Sequence, residues 1–253
     1  MYRAVHTGHP VAVVSATRGE AGKIADPRLA TEENLGKVRE GELRSACAAV
    51  GVDDVTFLDY LDGHLHEADP KEAVQRIVAQ LCRFRPDVVV TFAPNGGYGH
   101  LDHMAIHRFT LEAIRAAADE SAGDVRGGAS PHRVAKVYYM AMPRSRLMKM
   151  REEALQRGQD FVPGGDAGTI PLEEMGTPDE LITTRVTLTD EEFDAKMRAM
   201  AAHATQMPTD SPWAAASRKQ LRSYMGVEPF ELAMPANQPA QANSLESDVF
   251  AGL

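Results

Sequence analysis

A chain of 253 residues is long enough to bury a sizeable core and sits near the upper limit for one domain. With 27 basic against 36 acidic side chains the formal net charge is −9, and no basic stripe interrupts that balance, which argues against a nucleic-acid surface. The sequence has no apolar run of about eighteen residues and no signal-peptide core at its start, so neither a membrane span nor an export address is predicted.

Taken in order, residues 1–8 read as the end of a helix too short to be stable alone, with Gly8-His9-Pro10 leading into a strand over 11–16. A polar, Gly-rich loop follows from Thr17 to about Asn34. Helical spacing then runs from Leu35 to Val50 and closes at Gly51, with Arg39 in its first half. Residues 55–58 are a short strand, followed by a turn-rich stretch in which Asp62 either binds a hydroxyl or, as Asp before Gly, forms the turn. His64 and His66 read as loop histidines. A helix over 70–84 leads into Arg85-Pro86-Asp87 and the apolar run 88–92, a buried parallel strand. The two cysteines, Cys47 and Cys82, lie in apolar helical patterns without a C-x-x-C partner, as reduced thiols of a cytoplasmic protein do.

Past that strand the Gly-rich turn Pro94-Asn95-Gly96-Gly97-Tyr98-Gly99 delivers His100, Asp102 and His103 just before a helical pattern over 104–118. Ligands of open α/β sheets bind at the carboxyl ends of the strands. The cluster therefore reads either as part of a metal or acid/base site, or as loop polars with Asp102 as the helix N-cap. Further on, 134–141 is a strand, and 144–180 lacks periodicity and reads as a mobile flap or irregular insertion. A late strand over 182–188 precedes the helix start Thr189-Asp190-Glu191-Glu192 and a helix over 193–206, with His203 as a C-terminal capping side chain. Trp213, Leu221, Tyr224 and Phe230 are expected to pack a last helix and strand, and 236–253 to form a loose tail after a single domain over 1–235. The strand–helix alternation predicts an α/β, Rossmann-like, mostly parallel sheet with helices on both faces.

Several segments together resemble the LmbE-like, or PIG-L, family of zinc-dependent N-deacetylases. They are Gly8-His9-Pro10-Val11 into Ser15-Ala16-Thr17-Arg18-Gly19-Glu20-Ala21-Gly22, Val38-Arg39-Glu40-Gly41-Glu42-Leu43, Phe57-Leu58-Asp59-Tyr60-Leu61-Asp62-Gly63, Arg85-Pro86-Asp87, Gly99-His100-Leu101-Asp102-His103 and Ala202-His203-Ala204-Thr205-Gln206. The resemblance implies hydrolysis of the acetamide of an N-acetylglucosamine unit on inositol, malate or another aglycone, by zinc-activated water. It makes His103 a zinc ligand and gives His100 the oxyanion or the leaving amine. By the same resemblance Asp102 orients a histidine, Tyr98 faces the oxyanion, and Arg39 and Asp62 contact substrate.

The sequence departs from the family at its start. The family's Ala-His-Pro-Asp-Asp-Glu motif, with two further ligands and the general base, is not in it, and one histidine cannot make a three-ligand catalytic zinc site. The chain is accordingly expected to be N-terminally incomplete and to lack the first, central strand, whose neighbours would be 11–16 and 88–92. The implied partner is a small amino-sugar conjugate, with no nucleic acid, no membrane and a homo-oligomer left open. A non-catalytic sugar-binding or inactive truncated member is the competing reading. A nucleotide-binding Rossmann protein is disfavoured because no G-x-G-x-x-G follows a strand.

Overall fold

The computed structural model describes residues 1–158, 168–207, 216–234 and 245–253. Trp213, residues 159–167 of the expected flap and residues 236–244 of the expected tail lie outside them. The chain divides into two compact units, Met1–Leu65 with Thr187–Val227, and His66–Val186 with Glu228–Leu253. No described helix is long and apolar enough to cross a membrane.

In the first unit, helix α1 (Tyr2–His6) precedes strand β1 (Ala12–Ser15), which pairs in parallel with β2 (Asp54–Phe57) from Ala12↔Asp54 to Ser15↔Phe57. Between them runs α2 (Leu35–Ala49), whose buried positions Leu35, Arg39, Glu42, Ala46 and Cys47 recur at helical spacing. Two of those positions are charged, which an ordinary core-facing stripe does not contain. Gly51, at φ 81°, makes the left-handed turn that ends this segment. Cys47, Val50, Val52 and, from α6 (Asp190–Ala201), Ala195 form the buried cluster, with Tyr2, Val5, Val11, Val13, Leu43, Val55 and Ala199 packed around it. Helix α6 starts at a capping box in which the Thr189 hydroxyl accepts from Glu192 N–H and the Glu192 carboxylate accepts from Thr189 N–H. It ends at Ala201, earlier than its apolar spacing suggests. His203 does not cap it but opens the short 3-10 turn Ala204–Gln206.

In the second unit, α3 (Pro70–Phe84) is capped by Asp69 with proline in its first turn, and Arg85 ends it in the left-handed region at φ 57°. It buries Ala73, Val74, Ile77, Val78 and Leu81 and packs against α4 (Leu101–Ala118). Strand β3 (Val88–Thr91) pairs in parallel with β4 (Lys136–Met140). Helix α5 (Arg144–Gln156) and strand β5 (Thr184–Thr187) follow, and after α7 (Arg218–Met225) of the first unit comes β6 (Val227–Met234). The sheet order is β3-β4-β6-β5, and β6 runs antiparallel to β4. The expectation of a mostly parallel sheet is therefore corrected to a mixed one. An antiparallel strand appended to a parallel pair is a common elaboration, and β6 carries no sequence mark of its direction. Among the described residues β1 has β2 as its one ladder partner and β3 has β4.

Helix α5 corrects the reading of 144–180 as wholly irregular. At the other end of the chain Glu246 bridges to Thr184, and its carboxylate accepts from the buried Lys136 ammonium at 2.8 Å, the Tyr138 hydroxyl at 2.6 Å and the Thr184 hydroxyl at 2.9 Å. Burial and that carboxylate push the Tyr138 phenol well above its usual range.

Candidate active site

Beyond β3 the chain makes a glycine turn in which Gly96, Gly97 and Gly99 all have positive φ, at 63°, 83° and 85°. Only glycine takes up such a run without strain. At Gly96 a Cβ would also lie 2.9 Å from the His100 carbonyl and 3.0 Å from the His103 Cβ, so the turn folds directly against the histidines it delivers. Tyr98, His100 and His103 form one aromatic cluster. His103 stacks on Phe92 at 3.9 Å and on His100 at 4.4 Å, and Tyr98 stands edge-on to both, at 5.4 Å from His103 and 5.9 Å from His100.

The helix N-cap is His100, not Asp102. The His100 Nδ1 accepts the Asp102 backbone N–H at 3.2 Å, which places the proton of a neutral His100 on Nε2. His103 has the opposite tautomer. Its Nδ1 lies 3.1 Å from the Gly96 carbonyl, a partner that only accepts, so in a neutral His103 Nδ1 carries the proton and Nε2 the lone pair. Asp102 is buried in the first turn of α4, where a carboxylate is favoured by the helix dipole. Its Oδ1 lies 3.2 Å from His66 Nδ1 and 3.4 Å from His66 N. The histidine that Asp102 contacts is thus His66, which the sequence presents only as one of a pair of loop histidines. His107, one turn further along α4, is buried, bonds to the Phe92 carbonyl at 2.8 Å and packs edge-on against Tyr139. Burial holds its imidazole below the usual range, as befits a neutral core group.

Arg39 and Asp62 belong to the first unit. Arg39 is 7% exposed, donating from Nη1 to the Gly19 carbonyl and from Nη2 to the Lys23 carbonyl at 3.0 Å. A Cβ at Gly22 would meet the Arg39 guanidinium, so the loop lies directly against it. The Nε atom is buried with no hydrogen-bond partner among the described residues. Burial lowers the guanidinium pKa, opposed by the nearby carboxylates of Asp62, Glu42 and Glu20. Asp62 binds the same loop, accepting from the Thr17 hydroxyl at 3.0 Å and Ala21 N–H at 3.1 Å. Glu20, Ala21, Gly22, Lys23, Ile24 and Glu32 line an open cleft of about 670 Å³ over the loop. On the same face of α2 as Arg39, Glu42 accepts from the Thr205 N–H at 2.7 Å and its hydroxyl at 2.6 Å, while the Thr205 carbonyl accepts from Ala25 N–H at 2.8 Å. The motif residues Ala202-His203-Ala204-Thr205-Gln206 are therefore bonded to the end of the arginine loop.

Among the described residues no three His, Cys, Asp or Glu side chains gather as a metal site. The described donors therefore do not fit a three-ligand zinc centre, although the tautomer of His103 suits a ligand through Nε2.

The fold is an α/β one in which His100, Asp102 and His103 stand just past the carboxyl end of a parallel strand, where ligands of such folds bind. The sequence model of the PIG-L family, described as GlcNAc-PI de-N-acetylase, matches residues 1–114. A 1D-myo-inositol 2-acetamido-2-deoxy-alpha-D-glucopyranoside deacetylase of Geodermatophilus obscurus is 37% identical, with the match covering 100% of this chain and 91% of that protein. The protein of the same name from Thermobispora bispora is 34% identical over 97% of this chain and 90% of its own length. The chain belongs to this LmbE-like, PIG-L family of deacetylases. Solved structures share the fold. The N,N'-diacetylchitobiose deacetylase of Pyrococcus horikoshii superposes with a TM-score of 0.63 at 19% identity, covering 91% of this chain and 75% of that one. A conserved protein of Thermus thermophilus gives 0.60 at 22% identity over 92% and 86%.

Proposed function

We propose that this chain hydrolyses the acetamide of an N-acetylglucosaminyl conjugate, with an inositol glycoside as the leading substrate and a malate glycoside as a further candidate. The observation that carries this reading is the His100 tautomer, an imidazole holding its proton on Nε2 at the mouth of a glycine turn. Amide hydrolysis adds water to the carbonyl carbon, breaks the C–N bond and delivers a proton to the departing amine. His100 Nε2–H donates a hydrogen bond to the oxyanion, and the Tyr98 hydroxyl is a second oxyanion donor. To protonate that amine His100 must first become the imidazolium by taking up the proton that the attacking water releases. Asp102 orients an imidazole, and its 3.2 Å contact with His66 supports His66 as that imidazole. Arg39 and Asp62 are the substrate-contact candidates that the family resemblance gives, and both side chains bond to the loop over 17–23. The sugar is taken from the named activity of the relatives, which match over nearly the whole chain.

Zinc, with His103 as ligand, enters as an expectation of the family. No step is assigned to it here, because the described donors do not complete a site. That same observation favours the second reading, a sugar-binding member without turnover. The separating experiment incubates the purified protein with N-acetylglucosaminyl-inositol and measures free amine and acetate alongside metal content. Release of both in equal amounts supports the enzyme. Saturable binding of the glycoside with neither product supports the sugar-binding reading.

A further inference from the structure

The turn that carries Tyr98 is held in shape by a distant stretch of its own unit. Asn95 lies at the centre. Its side-chain Nδ2 donates to the Glu174 carbonyl at 3.0 Å and the Gly176 carbonyl at 2.9 Å, while its Oδ1 accepts the Gly97 N–H at 3.0 Å. The carbonyls on either side of Tyr98 are taken by the same stretch. Gly97 O accepts the Gly176 N–H at 2.7 Å, and Gly99 O accepts the Thr169 hydroxyl. Contact is direct, since a Cβ on Gly99 would lie 2.8 Å from Ile170 N and 2.9 Å from Thr169 N. The far end of the stretch is anchored in turn. Thr177 N–H donates to Met142 O at 2.7 Å, Arg144 N–H to Thr177 O at 2.9 Å, and the Ser145 hydroxyl to Asp179 Oδ1 at 2.5 Å.

Glycines at positions 97 and 99 leave the peptide planes around Tyr98 with little conformational preference of their own. Bonds from outside the turn therefore decide where the tyrosine stands. Its ring meets His103 at 5.4 Å and His100 at 5.9 Å, so a rotation of either plane moves it relative to both imidazoles. We infer that residues 169–176 position Tyr98 against the histidine pair, with Asn95 and Thr169 as positioning residues, Asn95 acting through the Gly97 N–H and Thr169 through the Gly99 carbonyl. In this role the stretch is a fixed wall of the site and not a flap that opens for each turnover. The inference rests on the reading of Tyr98 as an oxyanion donor.

The test is a double-mutant cycle on turnover, combined with a signal that needs no turnover. T169V removes one hydroxyl at an exposed position and N95A removes the bracket. Each is expected to lower kcat by about tenfold with KM changed less than about twofold, and to lose most of that effect when Tyr98 is already Phe. Full multiplication of the Y98F and T169V effects would overturn the inference, since a merely structural residue gives that result. In parallel, 3-fluorotyrosine placed at position 98 is followed by fluorine NMR. A single narrow resonance in the parent that shifts or broadens in both variants supports the clamp, and an identical spectrum in all three overturns it. Y98F with parental kcat would refute the catalytic reading of Tyr98 instead, leaving the fluorine result to decide the clamp.

Discussion

Replacing Glu42 with alanine removes a carboxylate that is 9% exposed and bonded to a fully buried threonine. Both Thr205 donors point at it, the N–H at 2.7 Å and the hydroxyl at 2.6 Å. Hydrogen bonds to a charged group are worth roughly 1.5–3 kcal/mol each, and relief of the desolvation cost of the carboxylate returns part of that. The expected net loss for E42A is about 2–4 kcal/mol in urea unfolding, with an unchanged m-value. E42Q keeps one acceptor and is expected to lose about half as much. T205V removes the hydroxyl alone, and in the E42A background its further cost should shrink, because the two changes break one interaction. Because Thr205 O holds Ala25 N–H, and the loop before Ala25 wraps Arg39, E42A should also raise KM for the glycoside more than it lowers kcat. A loss below about 0.5 kcal/mol, the value for an unremarkable surface site, would refute the claim that this buried carboxylate anchors the turn.

Acid stability tests a second contact. The Arg3 guanidinium holds the Glu192 carboxyl at about 2, below its ordinary 4.5, against the opposing effect of burial. The folded-state pKa is depressed, so this contribution is fully present above pH 4.5 and is lost as pH falls toward 2. Arg3 is 30% exposed, so after solvent screening R3A should cost about 1–2 kcal/mol at pH 7 and much less near pH 2, as checked by unfolding curves across that range. An equal cost at both ends would exclude the charge pair as the source. K136M leaves the Glu246 carboxylate without its cation and is expected to cost about 2–4 kcal/mol, with E246Q milder; thermal unfolding of both decides it.

Much of the local structure around the candidate site was legible because its signals are local. The run of valines before Pro94, the glycines around Tyr98 and the histidines beyond them announce strand, turn and helix start from neighbouring residues alone. Helix α3 and the Thr189 capping box were legible for the same reason, a cap residue followed by apolar spacing. What the sequence did not disclose depends on contacts between distant positions. His66 looks like an ordinary loop histidine until it is placed against Asp102, and Asn95 looks like a turn former until residues 174 and 176 are laid beside it. The antiparallel course of β6 and the Glu246 network are equally non-local, and a polar, proline-containing stretch gives no pattern from which to read them. His100 took the capping place expected of Asp102 because an imidazole nitrogen accepts an N–H as a carboxylate oxygen does.

The assignment is tested most directly by the steady-state rate of acetate release from N-acetylglucosaminyl-inositol, measured for the parent and for H100Q from matched preparations with matching unfolding curves. Expected is measurable turnover in the parent, and in H100Q a fall in kcat of at least about 100-fold with KM within a few-fold, as for loss of a group that delivers a proton or a hydrogen bond in the transition state. An H100Q protein that releases acetate at the parental rate would contradict the role given to His100, and a folded parent that releases none would contradict the proposed function.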